Sequence, residues 1–121
     1  MDPDEVLARP LRPDAVDLGF VGARLRRLDV TRTDAGWHIA FVVDGADGPV
    51  RCTFADPQWV QLAGTWGSGL IVKELFHRPV PDVLRESLSS ITHPHLYTLT
   101  VRGGSHVNVA CAGLDIVPAD A

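Results

Sequence analysis

The chain holds no CxxC pair, no Cys/His cluster and no excess of basic charge. The first two absences leave no zinc knuckle to read. Eleven Lys and Arg stand against fifteen Asp and Glu, a net charge of −4. Non-specific nucleic-acid binding rests on Lys and Arg neutralising phosphates, so nucleic acid is not an expected partner. No stretch approaches the ~20 apolar residues that span a bilayer. Residues 1–20, MDPDEVLARPLRPDAVDLGF, are acidic and proline-broken. They lack the basic region and apolar run of a secretory signal. The expectation is a cytoplasmic protein with no membrane partner.

Also missing are GxSxG, a Walker loop, GxGxxG and HExxH, so no motif names a reaction. The 121 residues fit one domain. A chain this long buries roughly 65–70% of its unfolded surface. It needs no metal or disulfide to fold, and no cofactor is expected. Cys52 and Cys111 sit in the apolar runs VRCTF and VNVACAG and read as buried thiols. A disulfide stays open only if their strands are neighbours.

What is present is strand patterning. Residues 1–16 carry three prolines and read as a loosely ordered lead-in, with a single domain over 17–121. Arg24 to Thr33 reads as a first strand. Trp37, Ile39, Phe41 and Val43 then share one face at period two. Turn chemistry over 44–49 follows, and Val50, Cys52 and Phe54 alternate back, which makes a hairpin. Trp59 to Ala63 reads as a short strand or a turn of helix, and Leu70 to His77 as another strand. Asp82 to Ile91 reads as the one helix, with Leu84, Leu88 and Ile91 on one stripe.

The last hairpin takes Gly103-Gly104-Ser105 as its loop. That register pairs Val101 with Val107, Leu99 with Val109 and Tyr97 with Cys111 on one face. Leu114 to Val117 either extends the strand or leaves the sheet. The expected fold is α+β. It is a mostly antiparallel curved sheet or partly closed barrel of six to seven strands, with one helix inserted before the last hairpin.

An Arg-rich first strand, GWHIAFVV, RCTF, a Trp66-Gly67 loop leading into IVKE with Glu74, and a closing GG-turn strand pair follow one another. This order resembles small β-rich bacterial domains that include immunity proteins of polymorphic toxin systems and uncharacterised relatives. The resemblance covers residues 17–117. It implies protein–protein binding, usually inhibitory, with no catalytic residues to transfer.

Several residues carry candidate chemistry. Trp66 lies among glycines in GTWGSG, and exposed Trp is enriched at binding hot spots; Trp59 lies seven residues earlier. The blander role for Trp66 is a lid on the core. Arg102, Asn108, Thr100 and His106 share the second face of the last hairpin and could hold an anion, or simply face solvent. Glu74 interrupts LIVKELFH, and a carboxylate among apolar neighbours can serve as an acid or base. An ion pair with an Arg of the first strand is its structural alternative. His93 and His95, at i and i+2 on an extended segment, point the same way and could share a metal ion given further ligands. Two exposed loop histidines are the alternative. Arg24, Arg26, Arg27 and Arg32 meet an acidic partner or guard a sheet edge.

Two functions follow. The first is a non-catalytic protein-binding module, immunity-type inhibitor or accessory subunit, using Trp59, Trp66, Arg102 and Asn108. Its partner is another protein, a second copy of the chain included. The second is a small enzyme with Glu74, His77 or His106 as general acid or base on a small organic substrate.

Overall fold

The computed structural model describes residues 16–17, 20–45, 48–66, 69–88 and 91–119. Its elements in chain order are β1 (Val16–Asp17), β2 (Arg24–Thr33), β3 (Gly36–Gly45), β4 (Gly48–Ala55), β5 (Trp59–Ala63), β6 (Leu70–Pro79), α1 (Asp82–Ser87), β7 (His95–Val101), β8 (His106–Cys111) and β9 (Gly113–Pro118). Eight strands form one path, β5-β8-β7-β6-β2-β3-β4-β9, with β1 beside β6. The described pairs are antiparallel.

The β-rich α+β class expected from the pattern is the one adopted. The expected six to seven strands are too few, and the path is open, ending at β5 and β9 rather than closing into a barrel. The additional strands come from the two ambiguous segments. Trp59–Ala63 is a strand because it pairs with β8, and 113–118 is a strand because it pairs with β4. Val16 and Asp17 pair with His77 and Phe76; the rest of the expected lead-in lies outside the described residues.

β4 runs into β5 across Asp56–Gln58, and β8 runs into β9 across Ala112. The four strands therefore make one bent two-strand ribbon. At the bend Asp56 takes a left-handed φ of 45°. Gln58 N–H donates to Ala110 O at 2.8 Å and Ala112 N–H donates to Ala55 O at 2.8 Å. The ribbon carries the chain from one half of the sheet to the other, and one core forms between them. Leu25, Ile39, Phe41, Val43, Cys52 and Phe54 come from one half; Val72, Leu75, Leu99, Val101, Val107 and Val109 come from the other. Cys52 and Cys111 are both buried free thiols. Burial pushes the Cys52 thiol up to about 12 and the Cys111 thiol up to about 11, so neither is a nucleophile near neutral pH.

Two local expectations are corrected. The last hairpin turns on Arg102-Gly103-Gly104: Val101 N–H donates to Ser105 O at 3.0 Å, and Leu99 pairs with Val107. Gly103 and Gly104 both have positive φ, 99° and 93°, and take the turn one residue earlier than expected. The pairing moves by two residues, so the faces are unchanged. The helix is six residues long and ends at Ser87, whose hydroxyl donates to Val83 O at 2.9 Å. A Ser hydroxyl bonding back to its own helix weakens regular continuation. Leu88 has left the helical region, and Ile91 N–H closes a turn on Leu88 O. Leu84, Leu88 and Ile91 still meet one apolar cluster with Val80, Leu96, Ala110 and Trp59 on the outer face of β7 and β8.

A polar strap holds this layer. Gln58 Oε1 accepts from the backbone N–H groups of Thr92 and His93, both at 2.8 Å, and its amide donates to Thr92 Oγ1 at 2.7 Å. Gln58→Ala removes all three bonds and strands two backbone donors. These groups are exposed or half-buried and can turn to water, so the expected loss of stability is about 0.5–1.5 kcal/mol, read from the urea midpoint, with faster amide exchange at Thr92 and His93.

Candidate functional site

The ladder between β5 and β8 ends at Ala63 opposite His106. The loop after β5 and the turn between β7 and β8 are therefore side by side. Between them lies a concavity of about 490 Å³, lined by Gly64, Thr65, Trp66, Leu70, Arg102, Gly103, Gly104 and Ser105. Ser105 Oγ–H donates to Thr65 O at 2.9 Å and ties loop to turn. Trp66 Nε1–H donates to Ala63 O at 3.1 Å, and its half-buried ring packs on the core. Trp66 is thus partly a lid on the core and also a wall of the concavity.

Two arginines flank this hollow. Arg102 lines it directly. The Arg24 guanidinium lies against Gly69, 3.9 Å from where a β-carbon would stand, and Arg24 is registered with Ile71 next to lining residue Leu70. The other arginines of β2 are engaged: Arg26 pairs with Asp44, Arg27 Nε is 3.0 Å from Asp29 Oδ2, and Arg32 stacks over Trp37 at 5.3 Å. Among the described residues, no side-chain ion pair or hydrogen bond holds Arg24 or Arg102. Among the described residues, no acidic side chain lines the concavity.

The remaining candidates fall elsewhere. Trp59 packs against the cluster under α1, not beside Trp66. Asn108 is 1% exposed. It accepts from Thr98 Oγ1 at 2.6 Å and donates to Gln61 Oε1 at 3.1 Å, so its amide holds β7, β8 and β5 together rather than facing a partner. The last hairpin is internal to the sheet, with β6 and β5 on either side. A register shift between Val72 and Glu74 marks a bulge at Lys73. The bulge resolves the mixed faces of LIVKELFH: Val72 and Leu75 enter the core, while Glu74 joins Thr100 and His106 in one row on the outer face. Thr100 stands between Glu74 and His106, and neither lines the concavity. The expected Glu74–Arg ion pair does not form with any arginine of β2 among the described residues.

His93 and His95 do not share a ligand position. His93 Nε2 is 2.7 Å from Asp56 Oδ2. His95 Nδ1 is 2.6 Å from Nε2 of His77. Among the described residues no three His, Cys, Asp or Glu side chains converge as a metal-binding group. The His77 ring also lies 4.9 Å from Tyr97. Burial, and then the neighbouring His95, hold the His77 pKa below its ordinary 6.5. Burial raises Tyr97, and Cys111 raises it further. This cluster sits at the far end of β6 from Leu70, about 23 Å along the strand.

The lowered His77 pKa sets a sign. The unfolded chain takes up the proton more readily than the folded one, so stability rises with pH through this window. The contribution is complete above about 6.5 and is lost as pH falls from there toward the folded value. Urea midpoints at pH 7.5 and 5.5 should therefore differ, and His77→Phe should narrow the difference.

No helix among the described residues is long and apolar enough to cross a membrane. Comparison of the chain with protein-family models, with curated proteins and with solved structures finds no match.

Proposed function

We propose that the chain is a non-catalytic protein-binding module, of the immunity-inhibitor or accessory-subunit kind, and that it receives an acidic segment of its partner in the Trp66 concavity. One observation carries this reading: Trp66 and Arg102 line the same hollow, Arg24 flanks it, and neither arginine is neutralised by a described side chain. Trp and Arg are the residues in which interface energy concentrates. Uncompensated cations around an aromatic wall suit carboxylates presented with some apolar surface.

The enzyme reading requires Glu74, His77 or His106 on the wall of a pocket. The described concavity has none of them.

The test is a photo-crosslinking amino acid at Thr65, on the lining, with Thr31 on the exposed end of β2 as control. Position 65 should join one protein through an Asp- or Glu-rich peptide, and position 31 should not. Equal crosslinking at both positions, or a basic crosslinked peptide, overturns the reading.

A further inference from the structure

The histidine cluster is independent of the concavity and has a chemistry of its own. His77 is opposite Tyr97 on β7, and His95 is opposite Pro79 on β6 and Cys111 on β8. The two histidines are therefore diagonal neighbours across adjacent strands. Their rings lie 4.7 Å apart at 49°, with Tyr97 against both, at 4.9 Å from His77 and 6.4 Å from His95. Both are half-buried, so the pair is held by the sheet and still open to solvent.

We propose that His77 Nε2 and His95 Nδ1 are the two protein ligands of a site for a divalent copper or nickel ion, with water in the remaining positions. The separation favours ions with ligands at right angles over tetrahedral zinc, and the affinity order chooses among those ions. Two imidazole nitrogens at about 2.0–2.1 Å from one ion stand about 2.9 Å apart in neighbouring positions of a square-planar complex, and about 3.3 Å apart around tetrahedral zinc. The observed 2.6 Å is closer to the first, so copper or nickel needs the smaller opening of the pair. The order of intrinsic affinities also places copper ahead of zinc.

Binding asks little of the protons. In the neutral pair one hydrogen lies between the two nitrogens. An ion binds to one side of that line, with both rings turned so that their lone pairs converge on it; His77 then carries its proton on Nδ1 and His95 on Nε2, a change of tautomer with no net proton released. Cys111 is not a third ligand: its thiol is buried and donates to Gly113 O at 3.3 Å. His93, two residues away, is turned to Asp56.

The full chain, free of any histidine tag, is titrated with nickel chloride at neutral pH by calorimetry and by thermal melting. One equivalent should bind and raise the Tm, since the ion clamps β6 to β7 only in the folded state. His77→Asn and His95→Asn should each weaken binding at least about tenfold and abolish the Tm shift. His93→Asn should change neither, and circular dichroism checks that each variant is folded. With copper, electron paramagnetic resonance should show two coordinated nitrogens in the wild type and one in either variant. No binding at about 1 mM nickel, unchanged binding in His77→Asn, or a loss confined to His93→Asn overturns the proposal.

Discussion

Gly64→Ala should lose about 3 kcal/mol of stability, the largest effect expected at any described glycine. Gly64 takes a φ of +87° at the end of β5, where a side chain is strained. Its added β-carbon would stand 2.3 Å from Ser105 Oγ, 2.7 Å from Ser105 Cβ and 2.8 Å from Ser105 Cα. Turning the serine rotamer relieves only the first contact. The left-handed backbone costs about 1–2 kcal/mol for a residue with a β-carbon, and forcing the two segments apart costs about 1–3 kcal/mol more. The loss is read from the urea midpoint at constant slope. Adding Ser105→Gly removes the Oγ and Cβ contacts and leaves the backbone one, so it should recover part of the loss. A Gly64→Ala protein within about 0.5 kcal/mol of the wild type would mean that loop and turn do not press together as described.

Trp66→Ala should weaken partner binding by at least about 2 kcal/mol, roughly 30-fold. The same change should cost stability too, because the ring is half-buried against the core and its N–H bonds Ala63 O. A fully buried Trp→Ala change costs about 3–5 kcal/mol; half burial sets the expectation near 2 kcal/mol. The two roles separate in Trp66→Phe. It loses the Nε1–H bond, worth about 1 kcal/mol, and keeps an aromatic wall. Stability should fall modestly, and binding should be reduced less than by alanine. Affinity measured on the crosslinked partner and urea unfolding on the free protein read the two effects independently. A Trp66→Ala protein that is less stable but binds with unchanged affinity would make the residue a lid and nothing more.

Local patterning shows where the fold was legible. GWHIAFVV alternates cleanly, and Trp37, Ile39, Phe41 and Val43 do enter the core as β3. The faces of β7 and β8 could be read as well, because a two-residue error in register leaves inside and outside unchanged. LIVKELFH could not be resolved by alternation alone, since the bulge at Lys73 changes its phase. β9 gave little signal: Asp115, Ile116, Val117 and Pro118 are all exposed, so no face is selected by burial.

The site was legible in its parts and not in its assembly. Trp66 and Arg102 stood out singly, yet they meet only because Ala63 pairs with His106, a long-range contact with no local trace. The spacing of His93 and His95 suggested a shared ligand. Asp56, 37 residues before His93, draws that ring away, and the cross-strand His77 takes its place beside His95. Asn108 looked like surface chemistry because it shares the polar face of the last hairpin; with β5 paired to its strand, the amide is interior.

The most direct measurement of the central claim is the affinity of the crosslinked partner for wild type and for the Arg24→Glu/Arg102→Glu double variant, at low and physiological salt. Arg51→Glu, exposed on β4, controls for a charge reversal away from the concavity. An acidic segment seated between Arg24 and Arg102 predicts a loss of about 100-fold or more in the double variant, a steep salt dependence in the wild type, and little change in the control. Equal affinity in all three proteins would contradict a binding site at the Trp66 concavity.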